Sequence, residues 1–316
     1  MNGYLNFKGA AKVRFEESGI VFHFYEKPHK IPTMNKNPSM KGVQTRTLNI
    51  LELLAKHADG MALAAIADQL KIPRSAAHRL LSDLVASGYV RQMREHGDYL
   101  LTTKLVSMGL TFLSNSGIVD IAQPLLDRLA EVSGELVRLS VVDGERLTWV
   151  ARAQGARQGL RYDPDMGSDA RFSCSSTGWA WLSTFNDKEA LKKAKAQGLG
   201  KASDYGPNAP TSLAALLTCI QSTRERGFSM TQETYAQGLN AISAPVRLKD
   251  QPALGVLTIA GPSFRLTPER MQTLGTELMA CAAQLATTSG ASPFFNASHR
   301  THATAANSTR KLIYAE

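Results

Sequence analysis

Apolar positions recur along the chain with two different spacings. After Val43, Leu48, Leu51, Leu54 and Ala55 fall at helical intervals, and Asp59-Gly60 ends the run. Leu63, Ile66, Ala67 and Leu70 predict a second, shorter helix, joined by Lys71-Ile72-Pro73 to a third over residues 74–87. Ala77, Leu80, Leu81, Leu84 and Val85 are expected inside that third helix, and Gly88 closes it. The pattern then becomes strand-like at residues 89–93 and 99–102, around a turn at His96-Gly97-Asp98. Three short helices and a basic hairpin predict a winged helix-turn-helix over residues 41–102.

Leu105, Met108, Gly109 and Phe112 then mark a linker helix within residues 103–117, broken at Asn115-Ser116-Gly117. A second domain is expected over residues 118–288. It opens with a helix carrying Ile121, Leu125, Leu129 and Val132. A hairpin of strands 136–142 and 147–152 follows, turning at Asp143-Gly144. Residues 155–170 read as a loop and 171–175 as a strand. Helices are expected at 177–185, 188–197 and around Leu213, Leu216, Leu217 and Ile220. Strands follow at 228–232, 241–248 and 254–260, the last an unbroken apolar run suited to burial on both faces. A helix over 268–286 closes the domain. The fold class is therefore α+β: a winged helix-turn-helix, a linker helix, and an α/β domain whose sheet is covered by helices. Residues 1–40 read as an extension without sustained periodicity. The Ser-, Thr-, Asn- and Ala-rich residues 289–316 read as a disordered tail.

A chain of 316 residues accommodates these two domains. No uncharged apolar run reaches the ~18 residues of a membrane span, so no membrane partner is expected. Cys174, Cys219 and Cys281 are scattered, with neither disulfide nor metal spacing, which fits a reducing cytoplasm. No cofactor or metal motif is present. The net charge is +9, and the first 117 residues hold +6 of it, so a polyanionic partner belongs at the N-terminal end.

The third helix sharpens that expectation. Ser75, His78, Arg79 and Ser82 lie at offsets 0, 3, 4 and 7, opposite the apolar stripe, with Arg74 at the start. Small side chains between charged ones allow close approach to a major groove, where Arg can bond guanine and Ala76 can meet a thymine methyl. Thr45 and Arg46 open the first helix within reach of phosphate. Arg91 and Arg94, with His96, surround the hairpin tip. An ordinary solvated helix face has the same composition, and Arg79 has an alternative as a structural residue packed on the second helix. The layout as a whole favours DNA.

Two readings of the second domain compete. Cys174, set among Ser173, Ser175, Ser176 and Thr177, is a conceivable nucleophile. A nucleophile needs a base, and no histidine occurs between His96 and His299, so no enzyme is expected. The alternative is a sensor of a small organic acid. Ser175, Ser176 and Thr177 open the Gly178 helix, where backbone N–H groups favour a carboxylate. Arg161 and Arg171 add charge, and Tyr162, Met166, Met230 and Trp179 add apolar or aromatic surface. A simple N-cap and core-filling methionines would give the same residues.

Several segments together resemble the isocitrate lyase regulator (IclR) family of bacterial transcription factors. They are Arg46-Thr-Leu-Asn-Ile-Leu-Glu-Leu-Leu54, Pro73-Arg-Ser-Ala-Ala-His-Arg-Leu-Leu81 with Gly88-Tyr89, and Tyr99-Leu-Leu-Thr. Further on come Ser175-Ser-Thr-Gly-Trp-Ala180, Arg226-Gly-Phe228, and Gly238-Leu-Asn-Ala-Ile-Ser-Ala-Pro-Val246 continuing to Gly261-Pro-Ser-Phe-Arg-Leu-Thr267. The resemblance implies a GAF-like effector domain and a homodimer or homotetramer paired through the DNA-binding half. It also implies double-stranded operator DNA and a small organic or aromatic acid as partners. Carried over by position, the effector pocket would include Leu160, Tyr162, Ser176, Thr177, Thr231, Ala241 and Thr258. The chain departs from residues frequent in the family at Trp179, Thr231 and Ala241.

Overall fold

The computed structural model describes residues 4–7, 11–16, 19–24, 42–93, 97–164 and 166–292. Three strands near the N-terminus, β1 (Tyr4–Phe7), β2 (Ala11–Glu16) and β3 (Gly19–Phe24), form an antiparallel meander. This corrects the expectation of an extension without regular structure. Only β2 (Ala-Lys-Val-Arg-Phe-Glu) alternates apolar with charged residues, while β1 is four residues long and β3 is an apolar run broken by His23, so no shared period marks the three as strands.

Contacts divide the chain into two units, one of them residues 32–115. It contains α1 (Val43–Leu54), α2 (Leu63–Leu70), α3 (Arg74–Ala86), β4 (Val90–Gln92), β5 (Tyr99–Leu101) and most of α4 (Lys104–Ser116). Ile50, Leu54, Ile66, Leu80, Leu81, Leu84, Val90 and Tyr99 form one core. Two expected core residues are displaced outward: Leu48 and Val85 are exposed. In α1 the buried stripe runs through Ile50 and Leu54, a four-residue step that turns Leu48 away from α3. Lys71 takes the left-handed conformation between α2 and α3, which lets the turn close in three residues. β4 and β5 pair antiparallel from Val90↔Leu101 to Gln92↔Tyr99. Arg94 and His96 lie outside the described residues.

The other unit is built on a five-stranded antiparallel sheet in the order β7-β6-β10-β9-β8. Its strands are β6 (Leu136–Asp143), β7 (Arg146–Gln154), β8 (Ser229–Gln232), β9 (Leu239–Val246) and β10 (Gly255–Pro262). Helices α5 (Ile118–Ser133) and α9 (Pro268–Thr288) cover one face. Helices α6 (Ser176–Leu182), α7 (Asp187–Gln197) and α8 (Leu213–Arg226) belong to the other. Strand alternation divides the side chains: Val137, Leu139, Ile242, Ala244, Leu257 and Ile259 pack under α5 and α9. β10, the central strand, is buried along all eight residues. Residues 171–175, expected as a strand, form turns. The domain also runs past its expected end. Ser292 is buried and donates to the Ser116 carbonyl at 2.6 Å, so the described chain stays packed through residue 292.

One irregularity positions the functional face. The pairing of β6 with β7 shifts between Leu139 and Ser140, leaving Val150 as a bulge. Before it, Leu147 and Trp149 face α6–α8; after it, Ala151 and Ala153 face α5. Without the bulge, one period-two register would send all four to the same side.

Candidate functional site

The helix-turn-helix presents its polar residues outward. Arg74, Ser75, His78, Arg79 and Ser82 are exposed on α3, and Ala76 is half-buried among them. Ser82 Oγ donates to the His78 carbonyl at 2.9 Å, which fixes that hydroxyl along the helix. Thr45 and Arg46 are half-buried near the start of α1, and Arg91 is exposed on β4. Arg79 stands out into solvent rather than within the α2–α3 core, so its structural alternative is disfavoured.

The second unit holds a cavity on the α6 side of its sheet. Counted out to its open mouth, it encloses about 440 Å³. Of the residues singled out by sequence, Tyr162, Arg171, Ser175, Ser176, Thr177, Thr231, Ala241 and Thr258 line it. Leu160, Arg161 and Met230 do not. Met230 packs against the α9 core because its strand neighbour Thr231 takes the cavity side. Leu160 and Arg161 lie half-exposed in the preceding loop, with only Tyr162 of that run turned inward. Trp179, on α6 itself, is also outside the lining: it is buried in the helical cluster on that side and donates from Nε1 to the Ser173 carbonyl at 3.1 Å. Met166 packs against the same cluster.

The α6 start explains the Ser-Ser-Thr-Gly run. Ser175 is the N-cap, accepting the Gly178 N–H at 3.0 Å. A Cβ on Gly178 would stand 2.5 Å from the Arg171 carbonyl oxygen and from the Phe172 Cα. Glycine there lets the Arg171–Phe172 backbone close onto the helix and brings Arg171 to the cavity wall. Ser176 and Thr177 then meet the sheet. Thr177 Oγ1 is 2.9 Å from Thr258 Oγ1, and Ser243 Oγ donates to Ser176 Oγ at 2.8 Å. Thr231 donates to the Ala241 carbonyl at 3.1 Å.

Sequence reasoning missed Arg138, Trp149, Asp169, Ala170, Tyr235, Leu239 and Ala260, which also line the cavity. Arg138 is the most consequential. It lies on β6 with its guanidinium 3.7 Å from the Trp149 ring centroid and 5.6 Å from that of Tyr162. Its strand carries no local signal of this: Val137, Leu139 and Val141 alternate with Arg138 and Ser140, the pattern of a strand with one face in water. Asp169, the acidic member of the lining, is already engaged by Arg146 Nε at 2.9 Å and Thr148 Oγ1 at 2.7 Å. Cys174 is wholly buried, and its carbonyl accepts the Thr234 hydroxyl at 2.6 Å; burial, and after it the neighbouring Cys174, raises the Tyr205 phenol above its ordinary range. Burial raises the Cys219 and Cys281 thiols as well. Among the described residues no cluster of His, Cys, Asp and Glu suits a metal ion, and no single helix is long and apolar enough to cross a membrane.

Residues 45–94 match the IclR helix-turn-helix domain, and residues 110–287 match the C-terminal domain of bacterial IclR transcriptional regulators. The chain is 28% identical over 242 residues to the acetate operon repressor of Salmonella typhimurium, covering 76% of this chain and 87% of that one. It is 27% identical over 257 residues to the transcriptional repressor IclR of Escherichia coli, covering 80% and 93%. Among solved structures, an IclR homologue from Microbacterium hydrocarbonoxydans complexed with 4-hydroxybenzoate aligns over 79% of this chain and all of that one. That alignment has a TM-score of 0.65 and 18% identity, a likeness of fold. A DNA-binding helix-turn-helix followed by the effector-domain fold, matched in order over most of the chain, places it in the IclR family of transcriptional regulators.

Proposed function

We propose that a small organic acid, aromatic acids foremost, enters the second-unit cavity and changes the protein's affinity for a double-stranded operator. The observation that carries the effector class is the charge of the cavity wall. Arg138 and Arg171 both line it, whereas its acid, Asp169, is paired with Arg146 and accepts the Thr148 hydroxyl. An enclosed site with surplus positive charge and aromatic surface from Trp149, Tyr162 and Tyr235 favours a flat anion over a neutral or cationic ligand. The 4-hydroxybenzoate held by the Microbacterium homologue belongs to the same chemical class and makes that compound the first to screen. The buried Cys174, in a domain without histidine, gives the enzymatic alternative no support.

On the DNA side, α3 is the reading helix, with Arg74, Ser75, Ala76, His78, Arg79 and Ser82 toward base edges and phosphates. Thr45, Arg46, Arg91 and Arg94 serve the flanking backbone. The working form is a homodimer or a pair of dimers. Helix α4 exposes Val106, Met108, Leu110 and Phe112, each more than half exposed, and α1 exposes Val43 and Leu48. A monomer would leave that surface in water, and a second copy covers it. As the linker between the two units, α4 is also the element through which effector binding shifts the dimer between DNA-competent and incompetent forms.

The test is a binding titration of the full-length protein on DNA from upstream of its own coding sequence, at several salt concentrations. The expected result is a steep fall of affinity with salt and a preference over competitor DNA. Adding 4-hydroxybenzoate or related acids to that complex is expected to shift its affinity. Sequence-indifferent binding, or affinity unmoved by every acid tried, would overturn the corresponding half of the reading.

A further inference from the structure

The cavity is a product of strand register. Arg138, Thr258, Ser243 and Ser229 are successive cross-strand partners on β6, β10, β9 and β8. The next row on the same face is Leu136, Ala260, Ala241 and Thr231. The small side chains of the second row leave the hollow, and the first row edges it with polar groups.

Proton counting gives that edge a direction. Each Ser or Thr hydroxyl owns one proton. Ser243 Oγ donates to Ser176, so across the 2.7 Å contact Ser243 must accept from Thr258. Thr258 has then used its proton and must accept from Thr177. The chain runs from Thr177 through Thr258 and Ser243 to Ser176. It leaves the Ser176 hydroxyl proton without an acceptor among the described residues. Ser176 is 3% exposed and lines the cavity.

At the other end of the row stands Arg138, 6% exposed, with Nε and Nη1 buried and without hydrogen-bond partners among the described residues. Arginine keeps its charge in proteins. Aromatic faces offset only part of the cost of burying that charge. A fixed cation and a directed neutral donor thus share one cavity, both unsatisfied.

We infer that Arg138 holds the carboxylate of the ligand and that Ser176 donates to a second, uncharged oxygen acceptor on the same molecule. The ligand class is a carboxylate with an oxo, ether or hydroxyl oxygen some carbons away. The inference rests on the reading of the cavity as the effector site and makes Arg138, rather than Arg161 or Arg171, the anchor. Arg138 and Ser243 are two strands apart, about 10 Å, and the reach of the arginine shortens this to the span of a compact molecule.

The experiment uses the full-length protein, with thermal shift and calorimetric titration. The probes are 4-oxopentanoate and 4-acetylbenzoate, each beside its primary amide and its acceptor-free analogue, pentanoate or 4-ethylbenzoate. One keto acid is expected to stabilise the protein, with its amide about tenfold weaker or more and the acceptor-free acid a few-fold weaker. Arg138→Met keeps an apolar stem against Trp149 and is expected to lose keto-acid binding while melting, ligand-free, no lower than wild type. Ser176→Ala is expected to bind the keto acid and its acceptor-free analogue alike. If Arg138→Met melts several degrees lower without ligand, Arg138 is packing and the inference falls. If Arg138→Met binds as wild type does while Arg171→Met does not, the anchor is Arg171. If no acid binds wild type at all, the effector reading itself falls with it.

Discussion

Helix α3 and the central sheet solve the same problem in opposite ways. Each has an apolar side that holds its unit together and a polar side that the fold does not require. On α3 the polar side faces water. On the sheet it is sealed beneath α6, with Thr258 and Ser243 almost wholly buried. An exposed polar face costs little while empty because water satisfies it. A buried one must satisfy itself, as Thr177, Thr258 and Ser243 do, or wait for a ligand, as the Ser176 hydroxyl proton and Arg138 do. The DNA unit therefore keeps its reading residues available at little cost in stability, whereas the effector unit exchanges some stability for a site that rewards being filled.

The largest expected effects lie on the two apolar sides. Leu81 and Ile259 are fully buried in their respective cores. Leu81→Ala and Ile259→Ala should each lower stability by about 2–5 kcal/mol. Calorimetry should show two transitions if the units melt separately, with each substitution moving its own. Equal movement of both transitions would break the comparison, because it would make the chain one cooperative body.

Next comes Thr258→Val, one residue from Ile259 and on the opposite face. It preserves shape and removes the middle of the hydroxyl chain, leaving the buried hydroxyls of Thr177 and Ser243 short of partners. The expected cost is about 1–3 kcal/mol in stability, together with loss of the few-fold preference for the keto acid over its acceptor-free analogue, because Ser176 is no longer oriented. On the exposed counterpart, Ser82→Ala removes only a bond to its own helix and should stay within about 0.5 kcal/mol of wild type. A Thr258→Val protein as stable as wild type would show that the chain contributes nothing.

The same difference governs what the sequence reveals. The α3 face is visible because helical spacing sorts Ser75, His78, Arg79 and Ser82 from Ala77, Leu80, Leu81 and Leu84 within one segment. The fold follows similarly, since the periodicities of the long helices and of β10 are local. The cavity is assembled from β6, β8, β9, β10 and the α6 start, and its register is set by pairing over more than 100 residues. Nothing local marks Arg138 or Trp149 as cavity residues. Trp149 arrives there only because of the bulge at Val150. Met230 leaves the cavity for a simpler reason: it neighbours Thr231 on one strand, and both cannot face the same side.

Arg79→Ala sharpens the contrast from the exposed side. The side chain stands in solvent, so stability should hold within about 0.5 kcal/mol. Operator affinity should fall by about 1–3 kcal/mol. Comparing operator with random DNA tells base reading from phosphate contact: loss confined to the operator means the former, equal loss on both the latter. A misfolded Arg79→Ala protein, seen by circular dichroism, would return Arg79 to a structural role.

The smallest expected effect concerns acid, and it falls on charges that belong to neither polar face. Arg224 donates to the Asp187 carboxylate and to the carbonyls of Ser183 and Phe185, tying α8 to the turn between α6 and α7. That hydrogen bond holds the Asp187 carboxyl below the usual aspartate range. At the start of α9, its own backbone N–H and Thr267 hold Glu269 low. A carboxyl whose pKa falls on folding stabilises above its unfolded value and loses that contribution as pH drops through its folded value. Both contributions are thus present at neutral pH and disappear below about pH 4. Asp187→Asn should flatten the acid limb of a melting-temperature profile while leaving the neutral range nearly unchanged, since the pair is solvent-exposed and weak. An acid limb identical to wild type would show that Asp187 titrates no differently folded than unfolded. Acid binding measured at neutral pH should not register the substitution, because Asp187 lies outside the cavity lining that holds Arg138.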